Sequence, residues 1–218
     1  MSTDNRSIDR REALRRASVL LGGIAFAGRR PLAYLEEHDV HARAALLDES
    51  GQGVGPFTRA DIALLDEIAE TMLPATKTPG AKAARVGPFM ALMVTDTYYP
   101  ADQKIFRDGM RTLDDESRTA SGVGFMKATK RQRLALLERL DREQKAYMDA
   151  ITVAQQSQTP GAVQKPAHYF RMMKELALLG YFTSEIGCTQ AQRYAESPGR
   201  FDPCLPYKPG ERAWASHA

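Results

Sequence analysis

Cysteine is nearly missing from this chain: there are 2 in 218 residues. An iron–sulfur cluster or a structural zinc site usually needs three or four thiolates, so such a cofactor belongs to a partner. Histidine is also sparse, at 4. His38 and His41 lie three apart on one prospective helical face, but two imidazoles with no placed carboxylate or thiolate make a poor metal site. His168 follows Pro166 at the start of an apolar stretch, where capping or packing suits it better than catalysis. A charge imbalance is missing too. The net charge of +3 comes largely from residues 1–27, which hold five arginines and three acids, leaving 25 basic and 24 acidic residues beyond. A near-neutral body gives nucleic-acid binding no support. No apolar run is long enough to span a bilayer, since the stretch from Ala17 to Gly28 has only 12 residues. No alternating strand pattern, internal repeat or low-complexity run is visible either. What is present, 43% hydrophobic and 26% charged residues, is ordinary for a soluble globular chain.

The amino end carries an address. Arg10 and Arg11 precede the diluted apolar run, and the small-x-small triplet Ala25-Phe26-Ala27 follows it. A basic segment, a short apolar segment and a small-residue cleavage site are the three parts of a secretory signal. The paired arginines and the modest hydrophobicity make it resemble a twin-arginine signal, although Ala13 stands where such signals often have Phe. The other reading is a basic amphipathic helix on a cytoplasmic protein. The twin-arginine route carries proteins already folded, usually because a cofactor has been inserted. Nothing in this chain is suited to holding one, so the cargo that requires the route is a folded partner.

Beyond the signal the pattern is helical throughout. A short helix fits residues 31–50, and "GQGVGPF" at 51–57 reads as a flexible linker. Thr58 with Asp61 three residues on caps a helix over 59–73, with Ile62, Leu65, Ala69 and Met72 at helical spacing before Pro74. Three prolines and two glycines between 74 and 88 exclude a regular element there, and "FMALMVTDTYY" resumes an apolar helix. Pro100 suits the first turn of the next helix. Thr129 and Gln132 form a capping box ahead of the longest periodic segment, whose apolar side is Leu134, Leu137, Leu140, Tyr147 and Ile151. Its charged side includes Arg131, Arg133 and Arg142. After a loop at 155–166, "HYFRMMKELALLGYF" is apolar all round, and so requires burial on every side by its own bundle or by another subunit. Four prolines between 196 and 218 force the carboxyl end into an extended tail carrying Phe201, Tyr207 and Trp214. That tail either folds back on its own bundle or docks on a partner. The expected fold is all-α: a single irregular helical bundle over 57–195, after a signal over 1–27 and a linker region over 28–56, with an extended proline-rich tail over 196–218.

Cys188 and Cys204 enclose fifteen residues. In an oxidising compartment they either form a disulfide, stabilising by about 3 kcal/mol on a chain-entropy estimate, or remain two thiols. In "GYFTSEIGCTQ" the polar groups Thr183, Ser184, Glu185, Thr189 and Gln190 sit beside Tyr181 and Phe182. They suit either an interface anchored by the two aromatics or close packing allowed by Gly180 and Gly187.

Two stretches, "DEIAETMLPATKTPGAKAARVGPFM" at 66–90 and "LALLGYFTSEIGCTQAQRYAESPGRFDPCLPY" at 176–207, resemble the gluconate 2-dehydrogenase subunit 3 family. The likeness runs over roughly 57–207 and is most specific in "LPATKTPGAKAA" and "LLGYFTSEIGCTQ". The family comprises small subunits of flavin-dependent sugar and polyol dehydrogenases, and the pattern is most similar to members paired with glycoside or glucose dehydrogenases. The resemblance implies a non-catalytic escort with no cofactor of its own. It would bind a signal-less large subunit, which holds FAD in a glucose-methanol-choline oxidoreductase fold, sometimes with an iron–sulfur cluster. The two would pass the twin-arginine translocase together. Electrons would then reach a cytochrome c subunit in some complexes, placing the protein in the periplasm, membrane-associated through its complex. Tyr181, Phe182, Glu185, Phe201, Tyr207 and Trp214 are then the expected partner-facing residues. An independent exported enzyme using Glu185, His168 or a metal, and a stand-alone periplasmic scaffold, are the competing readings.

Overall fold

The computed structural model describes residues 40–49, 51, 53–156, 165–195, 197, 199, 204, 206 and 208–215. The expected roles of Arg10, Arg11, His38, Phe201 and Tyr207 fall outside these residues. The chain divides into two compact units, residues 1–43 and residues 44–218. Of the first, only the opening residues of helix α1 (Val40–Glu49) are described.

The second unit is built from helices. After α1 come α2 (Arg59–Met72), α3 (Val86–Thr97), α4 (Pro100–Ser121), a 3-10 turn (Phe125–Lys127), α5 (Lys130–Gln156), α6 (Tyr169–Phe182) and a π-helical turn (Gly187–Ala191). Among the described residues there is no strand, only two isolated bridges. The all-α expectation holds.

Local chemistry sets most of the boundaries. At α2 the Asp61 carboxylate accepts from Thr58 N–H at 2.8 Å, while Asp61 N–H donates to Thr58 Oγ1 at 3.2 Å. The same reciprocal box opens α5, with Thr129 N–H on Gln132 Oε1 at 2.9 Å and Gln132 N–H on Thr129 Oγ1 at 3.3 Å. Pro100 starts α4, and Gly122, with φ of 76°, ends it in the left-handed conformation. His168 caps α6: its Nδ1 accepts from Phe170 N–H at 3.2 Å, and its ring stacks on Tyr169 at 4.6 Å. Burial lowers the His168 pKa, which suits a neutral ring accepting that bond.

The core lies between α2, α3, α4, α5 and α6. Ile62, Leu65, Ile68 and Ala69 line the inner stripe of α2, and α3 is buried on nearly every side. Phe106, Leu113, Phe125, Leu140, Phe170 and Met173 are fully enclosed, each burial stabilising by about 2 kcal/mol. Gly109 lets α4 approach α6 closely, since a Cβ there would stand 2.4 Å from the Tyr169 ring.

Two expectations fail here. Residues 53–57 of the expected linker are a fixed turn, because Val54 and Phe57 exchange backbone hydrogen bonds at 3.0 and 2.9 Å and both side chains are buried. Gly53 and Gly55 supply the positive φ angles, 89° and 53°, that such a turn requires. In α5, Leu134 and Tyr147 face solvent, whereas Leu136, Leu137, Leu140 and Ile151 are buried. Arg133 explains the rotation. It pairs with Glu67 of α2, donates from Nε to Phe125 O at 2.8 Å and from Nη2 to Met126 O at 2.7 Å, and lies over the Phe125 ring. Positions 133, 136, 137 and 140 share one helical face, so fixing Arg133 inward turns Leu134 out.

Candidate partner-docking surface

Helix α6 has two apolar faces, and the bundle covers one of them. Phe170, Met172, Met173, Leu176, Ala177, Gly180 and Tyr181 point inward. Leu178, Leu179 and Phe182 point outward and remain 37%, 46% and 38% exposed. The expected all-round burial is therefore not achieved among the described residues. The three outward side chains form a ridge at helical spacing, with exposed Glu175 one turn before Leu179 and exposed Glu185 just past the helix end. Arg171 holds Glu175 at 2.7 Å.

The neighbouring surface comes from the loop between α2 and α3. Its prolines do not leave it loose. The Glu70 carboxylate accepts from Ala75 N–H at 3.0 Å and from Lys82 N–H at 2.9 Å, clasping both ends of the loop. Gly80 is required beside this clasp, since a Cβ there would stand 2.4 Å from a Glu70 oxygen. Ala81 N–H donates to Leu73 O at 3.0 Å. Tyr181 then reaches across 102 residues to donate to Pro79 O at 2.7 Å. Its ring meets the Phe182 ring edge-on at 5.1 Å. The Tyr181–Pro79 bond thus ties the loop within 73–84 to the end of α6, and Pro74, Ala75, Thr76 and Lys77 of that loop are exposed.

Tyr181 is therefore not a partner-facing residue in this chain: it is buried, and it positions Phe182 and the loop. Ser184 is also buried, donating to Tyr181 O at 2.7 Å and accepting from Gly187 N–H at 3.0 Å. Gly180 and Gly187 are packing glycines. A Cβ on Gly180 would meet the Phe89 ring at 2.6 Å, and one on Gly187 would meet Tyr181 O at 1.8 Å. Phe182, Glu185, Thr189 and Gln190 are the members of this set that face outward. Cys188 is buried, its Sγ donating to Phe182 O at 3.3 Å, while Cys204 is exposed. Both are thiols in the structure, so the disulfide between them is not formed in it. Trp214 is 51% exposed, with the Arg193 guanidinium 4.7 Å from its ring centroid. The described end of the tail, 208–215, folds back to pair with Arg193.

Charged side chains of the body tie its elements together. Asp66, on α2, is half-buried and accepts from Gly87 N–H at the start of α3 at 2.8 Å. Burial pushes its pKa up to about 6 against the opposing effect of that hydrogen bond. Nothing in the sequence signals this group or the Glu67 and Glu70 contacts, because each carboxylate meets a partner on another element. Among the described residues no group of three or more His, Cys, Asp or Glu is placed to hold a metal ion. The described chain also lacks the strand–glycine loop–helix unit that seats a dinucleotide. A cleft of about 430 Å³ between α2 and α4 is lined by Phe57, Leu64, Arg107 and three aspartates. Two of those aspartates are engaged: Asp61 caps α2, and Asp114 holds Phe125 N–H at 2.7 Å and pairs with Arg118. No described helix is long and apolar enough to cross a membrane.

The family model for gluconate 2-dehydrogenase subunit 3 matches residues 59–199, well over half the chain and including both specific stretches. No curated protein and no solved structure gives a match. With the match spanning the bundle, the clasped loop and the ridge, the chain belongs to the gluconate 2-dehydrogenase subunit 3 family and is an accessory subunit of a dehydrogenase complex.

Proposed function

We propose that this subunit is a non-catalytic escort. It binds and stabilises the FAD-dependent catalytic subunit of a periplasmic sugar or glycoside dehydrogenase, and carries it through the twin-arginine translocase on its own signal. The observation that carries the reading is the uncovered ridge of Leu178, Leu179 and Phe182 on a helix whose other face builds the core. Each such side chain, fully covered, contributes about 1–2 kcal/mol to association. The proposed occupant of the ridge is a large subunit of the glucose-methanol-choline oxidoreductase type, and the FAD belongs on that partner. An iron–sulfur cluster there, and a cytochrome c subunit as electron acceptor, are further parts of the same proposal. Arg10 and Arg11 supply the export signal, so the complex works on the periplasmic side.

Co-expression tests this. The chain should carry a signal-less flavoprotein through purification, seen as flavin absorbance co-eluting at a fixed ratio, and should be poorly soluble when expressed alone. A lone chain that is monomeric, well behaved and turns over a substrate would point instead to an independent enzyme. A well-behaved chain that captures no flavoprotein would point to a stand-alone scaffold.

A further inference from the structure

Residues 208–215 are attached to the other described residues by contacts at one short stretch, 190–193. Residues 208–215 bury no side chain fully. Among the described residues, their polar contacts to the rest of the chain run to Arg193 and Gln190 alone. Arg193 N–H donates to Ala213 O at 2.8 Å and Ala215 N–H donates to Arg193 O at 2.8 Å, a single parallel bridge. Around it, the Arg193 guanidinium covers the Trp214 ring, Arg193 Nη1 approaches Glu211 at 3.4 Å, and Arg212 donates to Gln190 O at 2.9 Å. Arg193 Nε is buried with no hydrogen-bond acceptor among the described residues, and a buried N–H without a partner destabilises the state that contains it.

We propose that residues 208–215 form a clip, held by Arg193, that opens as a unit ahead of the helical body. Few contacts to the other described residues and broad exposure are the marks of a segment whose opening free energy lies far below that of global unfolding. Opening uncovers the indole face that Arg193 lies over and leaves the core of α2 to α6 intact. The clip is thus a separable element that can be engaged or displaced without disturbing the bundle. This holds whether or not the ridge is the docking site.

Native-state hydrogen exchange on the full chain tests it, read at the two amides that close the bridge. Arg193 and Ala215 should exchange roughly 100-fold or more faster than the amides of Met173 and Ala177 in the buried face of α6, at rates insensitive to low urea. Arg193→Gln removes the ring contact and the ion pair. It should speed exchange at Ala215 further and raise acrylamide quenching of Trp214, the sole tryptophan, with the helical unfolding midpoint unchanged. Exchange at Arg193 and Ala215 as slow as in α6 would overturn the clip. So would an Arg193→Gln variant that lowers the helical midpoint or leaves exchange at Ala215 unaltered.

Discussion

Replacing Leu179 and Phe182 together with lysine is expected to weaken capture of the flavoprotein by about 100-fold or more while leaving the helical bundle folded. Two anchor side chains worth about 1.5 kcal/mol each supply that factor, at about 1.4 kcal/mol per tenfold in affinity. The bundle should tolerate the change because both side chains are substantially exposed and lysine is a good helix former. The new charges also suit their surroundings. Position 179 stands four residues after Glu175 and position 182 three before Glu185, so each introduced ammonium has a carboxylate within reach, and both lie near the negative end of the helix dipole. The cost should be confined to the edge contact of Phe182 with Tyr181, at 5.1 Å, which is worth about 1 kcal/mol. Titration calorimetry or co-purification yield measures the first effect, and urea unfolding followed by ellipticity measures the second. Unchanged capture would move the interface off the α6 ridge.

Asp66→Asn is expected to stabilise the isolated subunit at pH 7 by about 2–3 kcal/mol. The carboxyl is pushed up to about 6 from an ordinary value of 3.8, chiefly by burial, and each pH unit is worth about 1.4 kcal/mol. The folded state binds this proton more tightly than the unfolded state does. Its contribution is therefore fully present below about pH 4 and is lost as pH rises through 6. Asparagine presents the same acceptor to Gly87 N–H without a charge to bury. Asp108 and Asp141, whose pKa values are lowered chiefly by hydrogen bonds to Lys104 and Lys174, act oppositely, weakening the fold as pH falls. The difference between wild type and variant isolates Asp66: it should be small at about pH 4, grow between about pH 4 and 6, and continue toward its full value above. Stability curves that run parallel across that range would show that Asp66 is ionised without penalty in the fold.

Much of the scaffold is legible in the sequence because its determinants are local. The Thr58–Asp61 and Thr129–Gln132 boxes, Pro100 at a helix start and His168 as a cap involve residues two or three apart, and each sits as its local chemistry dictates. The expected helix over 59–73 forms as Arg59–Met72. Errors arise where a distant partner decides. Leu134 lies on the periodic apolar stripe, but Arg133 must reach Glu67, 66 residues away, and that rotates the helix. Tyr181 has the look of an interface anchor, yet its hydroxyl is committed to Pro79. "GQGVGPF" has the composition of a linker, yet the same glycines allow a turn tight enough to bury Val54 and Phe57. The ridge itself is half legible. The run Leu176 to Leu179 announces apolar side chains in every direction, but which of them the bundle leaves uncovered depends on how α6 packs against α3 and α4.

The claim on which the rest depends is that this chain lends its export signal to a partner that has none. Replacing Arg10 and Arg11 with lysine in cells that make both subunits, then assaying flavin-dependent dehydrogenase in periplasmic and cytoplasmic fractions, tests it most directly. The activity should shift from the periplasm to the cytoplasm together with the small subunit, with the complex still assembled. Dehydrogenase reaching the periplasm undiminished without the arginine pair would contradict it.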